Sequence, residues 1–125
     1  MRYEKAGDLQ LIINEISKIL FPHIKLDSVV CLRSYGSKTK RTIARCHALG
    51  KAMQMGLNRK GFYLIEVINE QFEKLSEKDK IKTLIHELMH IPKSFGGGFK
   101  FHDYVNKRNV DKMYEKYICF KDKRE

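Results

Sequence analysis

Apolar residues recur at helical spacing in three stretches of this chain and at strand spacing in three others. Leu9, Ile12, Ile13, Ile16, Ile19 and Leu20 fall on one face of a helix, which predicts a helix that Asp8 can cap and Pro22 ends. Ile81, Leu84, Ile85 and Leu88 repeat the pattern. Ser76, with Asp79 three residues on, resembles a capping box, so this helix is expected to run to Ile91, where Pro92 stops it. Val110, Met113, Tyr114, Tyr117 and Ile118 predict a last helix over about residues 110–120. Between the first two helices, residues 28–35 (SVVCLRSY) are rich in strand formers. Gly36-Ser37-Lys38 reads as a turn, and residues 42–49 (TIARCHAL) alternate. Residues 62–68 (FYLIEVI) form the clearest strand, entered by a turn from Asn58 to Gly61. Residues 50–60 read equally as a short helix or a strand. The order predicts an α+β fold, helices on a small sheet, in a single domain over residues 1–125.

Composition fits that picture. The chain has 125 residues, 42% of them apolar, enough for one core. No run approaches the roughly 18 apolar residues of a membrane span, and MRYEKAGD lacks a signal-peptide core. Cys31, Cys46 and Cys119 form no Cys-x-x-Cys pair, which excludes a zinc ribbon and fits buried thiols in a reducing cytoplasm. The net charge of +10 would attract anionic surfaces, nucleic acid among them. It equally suits solubility, or the lysine-rich surface of a heat-adapted organism.

The chemistry concentrates in LIHELMHIP, residues 84–92. His86 and His90 stand four apart, so on a helix both imidazoles project to one side and can share an ion. Glu87 follows the first histidine, the place of the general base in His-Glu-x-x-His hydrolases. The apolar stripe is offset from the histidines, which leaves one side for the core and one for a cleft. A catalytic zinc takes three protein ligands and leaves a position for water. His102 is the expected third ligand, because three glycines in FGGGFK let the backbone turn back over the helix. Glu115, Asp103 and Asp111 are the alternatives; Asp103 or Glu115 could instead orient a ligand imidazole. His23 and His47 lack partners in the sequence and read as structural. Tyr104, Tyr114 and Tyr117 are candidates to stabilise an oxyanion, although each suits core packing as well.

At these residues the sequence resembles the zincin metallopeptidases. HELMHIPKSFGGGFKFH is similar to the archaeal and phage family of small metallopeptidases, with a His-Glu-Leu-x-His-Ile-Pro run, a Gly-rich segment and a following histidine. Weaker parallels lie in FYLIEVI and in FEKLSEKDKIKTLIHEL. SprT-like proteases share the logic of a third histidine that opens a short helix and is trailed by a bulky apolar residue, here in HDYVN. The resemblance implies a zincin-like fold: a small, twisted, mostly antiparallel or mixed sheet over an active-site helix, with substrate along the edge strand. It implies zinc (Zn2+) on His86, His90 and His102, and Glu87 as base. The chain lacks the C-terminal zinc ribbon of longer relatives and the metzincin spacing after His90.

The leading expectation is a cytoplasmic zinc metallopeptidase acting on a peptide or protein, with no membrane partner. A peptidase with one dedicated protein substrate is a variant of it. The second reading is a metal-stabilised basic module that docks on nucleic acid through Arg33, Lys38, Lys40, Arg41 and the Asn58-Arg59-Lys60 segment.

Overall fold

Four short strands form a mixed sheet whose spatial order departs from chain order. In the computed structural model, which describes residues 1–124, they are β1 (Arg2–Lys5), β2 (Val29–Tyr35), β3 (Ala44–Ala48) and β4 (Tyr63–Ile68), arranged β1-β2-β4-β3. β2 and β4 run parallel; β1 and β3 flank them antiparallel. Five helices accompany the sheet: α1 (Gly7–Leu20), α2 (Lys51–Gly56), α3 (Asn69–Phe72), α4 (Glu77–Met89) and α5 (Lys107–Arg124).

The core lies between one sheet face and the layer of α1, α4 and α5. Alternation sends Tyr63, Ile65 and Val67 of β4 and Val29 and Cys31 of β2 into that layer. Leu9, Ile13, Ile16 and Leu20 of α1 meet them, with Leu84, Ile85 and Leu88 of α4 and Val110 and Tyr117 of α5. Ser76 caps α4 by accepting from the Asp79 amide at 3.1 Å, as its place before the apolar stripe predicts.

The opposite sheet face carries a polar cluster. Glu66 is buried and pairs in register with Arg45. It accepts from Ser34 Oγ at 2.6 Å and pairs with His47 Nε2 at 2.9 Å and with Arg45 at 3.5 Å. Burial alone would raise its pKa, but these bonds and charges outweigh burial and hold it below the ordinary value. His47 therefore has a structural partner. So has His23, whose Nε2 lies 3.1 Å from the Ile91 carbonyl.

Several boundaries differ from the pattern reading. β1 carries no apolar alternation, and all four residues are exposed; pairing with β2 makes it a strand. α3 has only four residues, too few for a period to register. Residues 51–56 of the ambiguous segment are helical. α4 ends at Met89, with His90 as a helical C-cap (φ −69°, ψ −17°), so the four-residue spacing of the histidines survives. α5 starts at Lys107, ahead of its first apolar residue, because Asn106 Oδ1 accepts from the Asn109 amide at 2.9 Å.

Arg33 ties β2 to the helices. Its guanidinium donates to both carboxylate oxygens of Asp8, at 2.6 and 2.9 Å, and lies 3.6 Å from Glu73. The Arg33 hydrogen bond lowers the Asp8 pKa from 3.8 to about 2. A depressed carboxyl contributes its stability fully above the ordinary pKa and loses it as pH falls through the folded value. Asp8 is 64% exposed, so solvent screening limits that contribution to under about 1 kcal/mol. Denaturant melts should find Asp8→Asn slightly less stable than the parent near neutral pH, the difference vanishing as pH approaches about 2.

Candidate metal centre

Burial of Leu84, Ile85 and Leu88 fixes the rotation of α4 about its axis. Positions 86 and 90 then stack one turn apart at its C-terminal end. Their Nε2 atoms lie 3.3 Å apart. Two ligands at about 2.0–2.1 Å from one zinc, at a tetrahedral angle, stand about 3.3–3.4 Å from each other, so the pair has the separation such an ion requires.

The second nitrogen of His90 is already engaged. His90 Nδ1–H donates to the Lys100 carbonyl at 2.6 Å, while the Lys100 amide donates to the His90 carbonyl at 2.8 Å. A ring that donates through Nδ1 keeps the Nε2 lone pair for a metal, and a backbone carbonyl is a common orienting partner. His86 is half-buried. Burial first, then its neighbours His90 and His102, depress its pKa and favour the neutral imidazole that a metal takes.

Glu87 is 6% exposed, with Oε2 3.9 Å from His86 Nε2. Burial pushes its carboxyl up to about 7. A dication nearby would pull it back down, since a bound cation is the largest charge in such a site.

His102 stands beside the pair. Its ring centroid is 6.1 Å from that of His90, at an interplanar angle of 86°. Among the described residues, no three His, Cys, Asp or Glu side chains yet surround a common point. The structure thus brings His86 and His90 together and leaves His102 at the rim, two residues beyond the anchored Lys100. Among the carboxylates considered as ligands, Asp111 is held by Lys82 at 2.8 Å and Lys107 at 3.3 Å. Glu115 is exposed and faces a separate surface groove with Cys119, and Asp103 is exposed.

The glycine segment is anchored by residues that the sequence reading did not single out. Tyr63 Oη donates to the Gly98 carbonyl at 2.7 Å and accepts from the Gly97 amide at 3.0 Å. Gln54 Nε2 donates to the carbonyls of Gly96 at 3.0 Å and Leu49 at 2.8 Å. Gly97 has φ +103°, and a Cβ there would lie 2.7 Å from both Gln54 Nε2 and the Leu49 carbonyl, so only glycine fits. Tyr63 read as a strand residue; its one signal is a hydroxyl on an otherwise apolar inward face, which needs a partner. The tyrosines that were singled out are otherwise engaged: Tyr117 bonds Glu15, Tyr114 lies under Lys78 and Lys82, and Tyr104 lies under Lys100.

A groove of about 680 Å³ opens beside His86 and Glu87, between the start of β3 and the N-terminal end of α5. β3 is an outer strand bonded only to β4. The Leu49 amide donates to the Phe62 carbonyl and the Ile68 amide to the Ile43 carbonyl, each at 2.9 Å, so antiparallel alternation turns the amides and carbonyls of Ala44, Cys46 and Ala48 outward. Of the basic residues considered for nucleic acid, Arg33 is bound by Asp8 and Glu73, and Arg59 stacks on Phe62. No described helix is long and apolar enough to cross a membrane.

Tyr63→Phe removes both bonds to the glycine segment and leaves one donor and one acceptor without it. The expected cost is about 1–3 kcal/mol, read by denaturant melts, with faster amide exchange at residues 96–100 than at α1.

Over residues 1–118 the chain matches the family model described as "Putative phage metallopeptidase". No curated protein and no solved structure matches it.

Proposed function

We propose, from the premise that this chain belongs to the putative phage metallopeptidase family, that it hydrolyses peptide bonds with zinc held by His86, His90 and His102 and with Glu87 as general base. Membership itself implies a hydrolase of peptides or proteins that uses a metal. The finer reading is supported above all by the 3.3 Å between the Nε2 atoms of His86 and His90, with the His90 ring oriented by the Lys100 carbonyl. His102 would complete the set by a movement of the short segment after Lys100. A zincin-like architecture accords with a helix beneath a mixed sheet and an antiparallel outer strand.

Zinc bound there would supply a Lewis acid and a water of lowered pKa. The chain's own residues do the rest. Glu87 takes the proton of the attacking water and passes it to the departing amine. The outward backbone groups of Ala44, Cys46 and Ala48 pair with an extended peptide as an added strand. The walls around Glu87 exclude bulk water, which strengthens each electrostatic interaction inside.

Purified protein should carry about one zinc per chain, lost in His90→Ala, while Glu87→Gln should keep the metal and lose about 10²–10⁴ of the turnover of an unstructured protein substrate. Metal analysis beside a cleavage assay reads both. Parent-level cleavage by Glu87→Gln would remove the general-base assignment. His102→Ala should weaken zinc retention under a competing chelator; unchanged retention would move the third ligand elsewhere.

A further inference from the structure

The groove beside Glu87 carries a chemical pattern that hydrolysis alone does not require. Ile43, Leu75 and Val110 give it an apolar floor, Val110 being buried, and Arg41, Lys82 and Lys107 also line it, with Arg41 and Lys107 exposed. Three carboxylates line it with those three cations: Asp79, Asp111 and, beside His86, Glu87. Asp111 is shared, with Oδ1 2.8 Å from Lys82 and Oδ2 3.3 Å from Lys107. Asp79 lies in the first turn of α4, where the helix N-terminus favours a negative charge. Arg41 is exposed and has no carboxylate partner among the described residues. Among the described residues, Arg41 is therefore an unpaired cation on the groove lining, and Lys107 shares its one carboxylate with Lys82.

Its size and position suggest how a chain would use it. A volume of about 680 Å³ exceeds what one side chain fills. On an extended peptide, residues i and i+2 point to the same side, about 6.5–7 Å apart. A peptide laid along β3 thus sends alternate side chains into the groove, one onto the floor and the next past Arg41.

We infer that this groove selects peptides with an apolar side chain on the Ile43–Leu75–Val110 floor and a carboxylate two positions away, paired with Arg41 and Lys107. The inference rests on the peptidase reading for the path of the peptide, and it adds a substrate class to it. The carboxylate is that of an internal Asp or Glu, or the terminus of a peptide that ends there; the chemistry is shared, and the test separates the two sources.

Fluorescein-labelled alanine-rich peptides containing Leu-Ala-Glu, Leu-Ala-Lys and the reversed Glu-Ala-Leu serve as probes, with a peptide ending in Leu-Ala-Ala as free acid or amide. Anisotropy measures binding to the full chain, with and without added zinc, so the readout does not depend on turnover. A peptide with the internal carboxylate in one of the two orders should bind at least about fivefold tighter than the lysine peptide, corresponding to about 1 kcal/mol, and the gap should shrink with added salt. If the terminus is the recognised group, the free acid instead exceeds its amide by that ratio. The double variant Arg41→Ala, Lys107→Ala should abolish the preference, while Lys60→Ala, an exposed lysine outside the groove lining, should retain it. Equal or absent binding of all peptides, or a preference that survives the double variant, overturns the inference. Cleavage without preference overturns it and leaves the peptidase reading standing. Preference that depends on Arg41 and Lys107, with no cleavage of any peptide, upholds the selectivity and removes the peptidase reading.

Discussion

The site depends on how α4 is held by its buried side. Leu84, Ile85 and Leu88 have no exposed surface, and close packing leaves such a stripe one orientation against α5, β3 and α1. That orientation decides where positions 86, 87 and 90 point. Helical periodicity puts the two imidazoles together, and the reciprocal backbone and ring bonds between His90 and Lys100 lock the chain's return over them. A shift of α4 by one residue in register would turn the histidines into the core and strand the whole constellation.

Glu66 and Glu87 show how the same side chain, little exposed in both places but set deeper at Glu87, is given two characters. Glu66 receives Ser34, His47 and Arg45, and its charge is stabilised where it sits. Glu87 has burial and little else, so its charged form is disfavoured. A carboxylate left in that condition costs stability in the metal-free chain. A cation beside it would offset that cost, which would couple occupancy of the candidate centre to the protonation of Glu87.

Much of this was legible in the residues. The α1 and α4 stripes, the Ser76 cap and the strands around β2, β3 and β4 follow from period and punctuation, because those elements are made by local pattern plus burial on one face. The pairing of His86 with His90 followed from spacing alone. What escaped has a common cause: it depends on partners distant in sequence. β1 is a strand only because β2 offers it a free flank. Tyr63 and Gln54 matter through bonds to glycines more than thirty residues away. The anchoring of His90 by a carbonyl rather than by Asp103 or Glu115 has no side-chain signature at all. Arg33 looked available to a ligand and is instead consumed by Asp8 and Glu73.

The attachment of β3 through β4 alone has a further consequence for how the molecule comes apart. A five-residue border strand with one neighbour is among the cheapest pieces of such a fold to detach. Its loss would remove the strand along which the proposed peptide path runs while His86 and His90, rooted in α4, stay in place. On the proposed function, metal retention and productive docking would be mechanically separable in this chain. Under the proposed reading, fraying at the sheet's border would yield a protein that still holds its ion and no longer grips anything to cut.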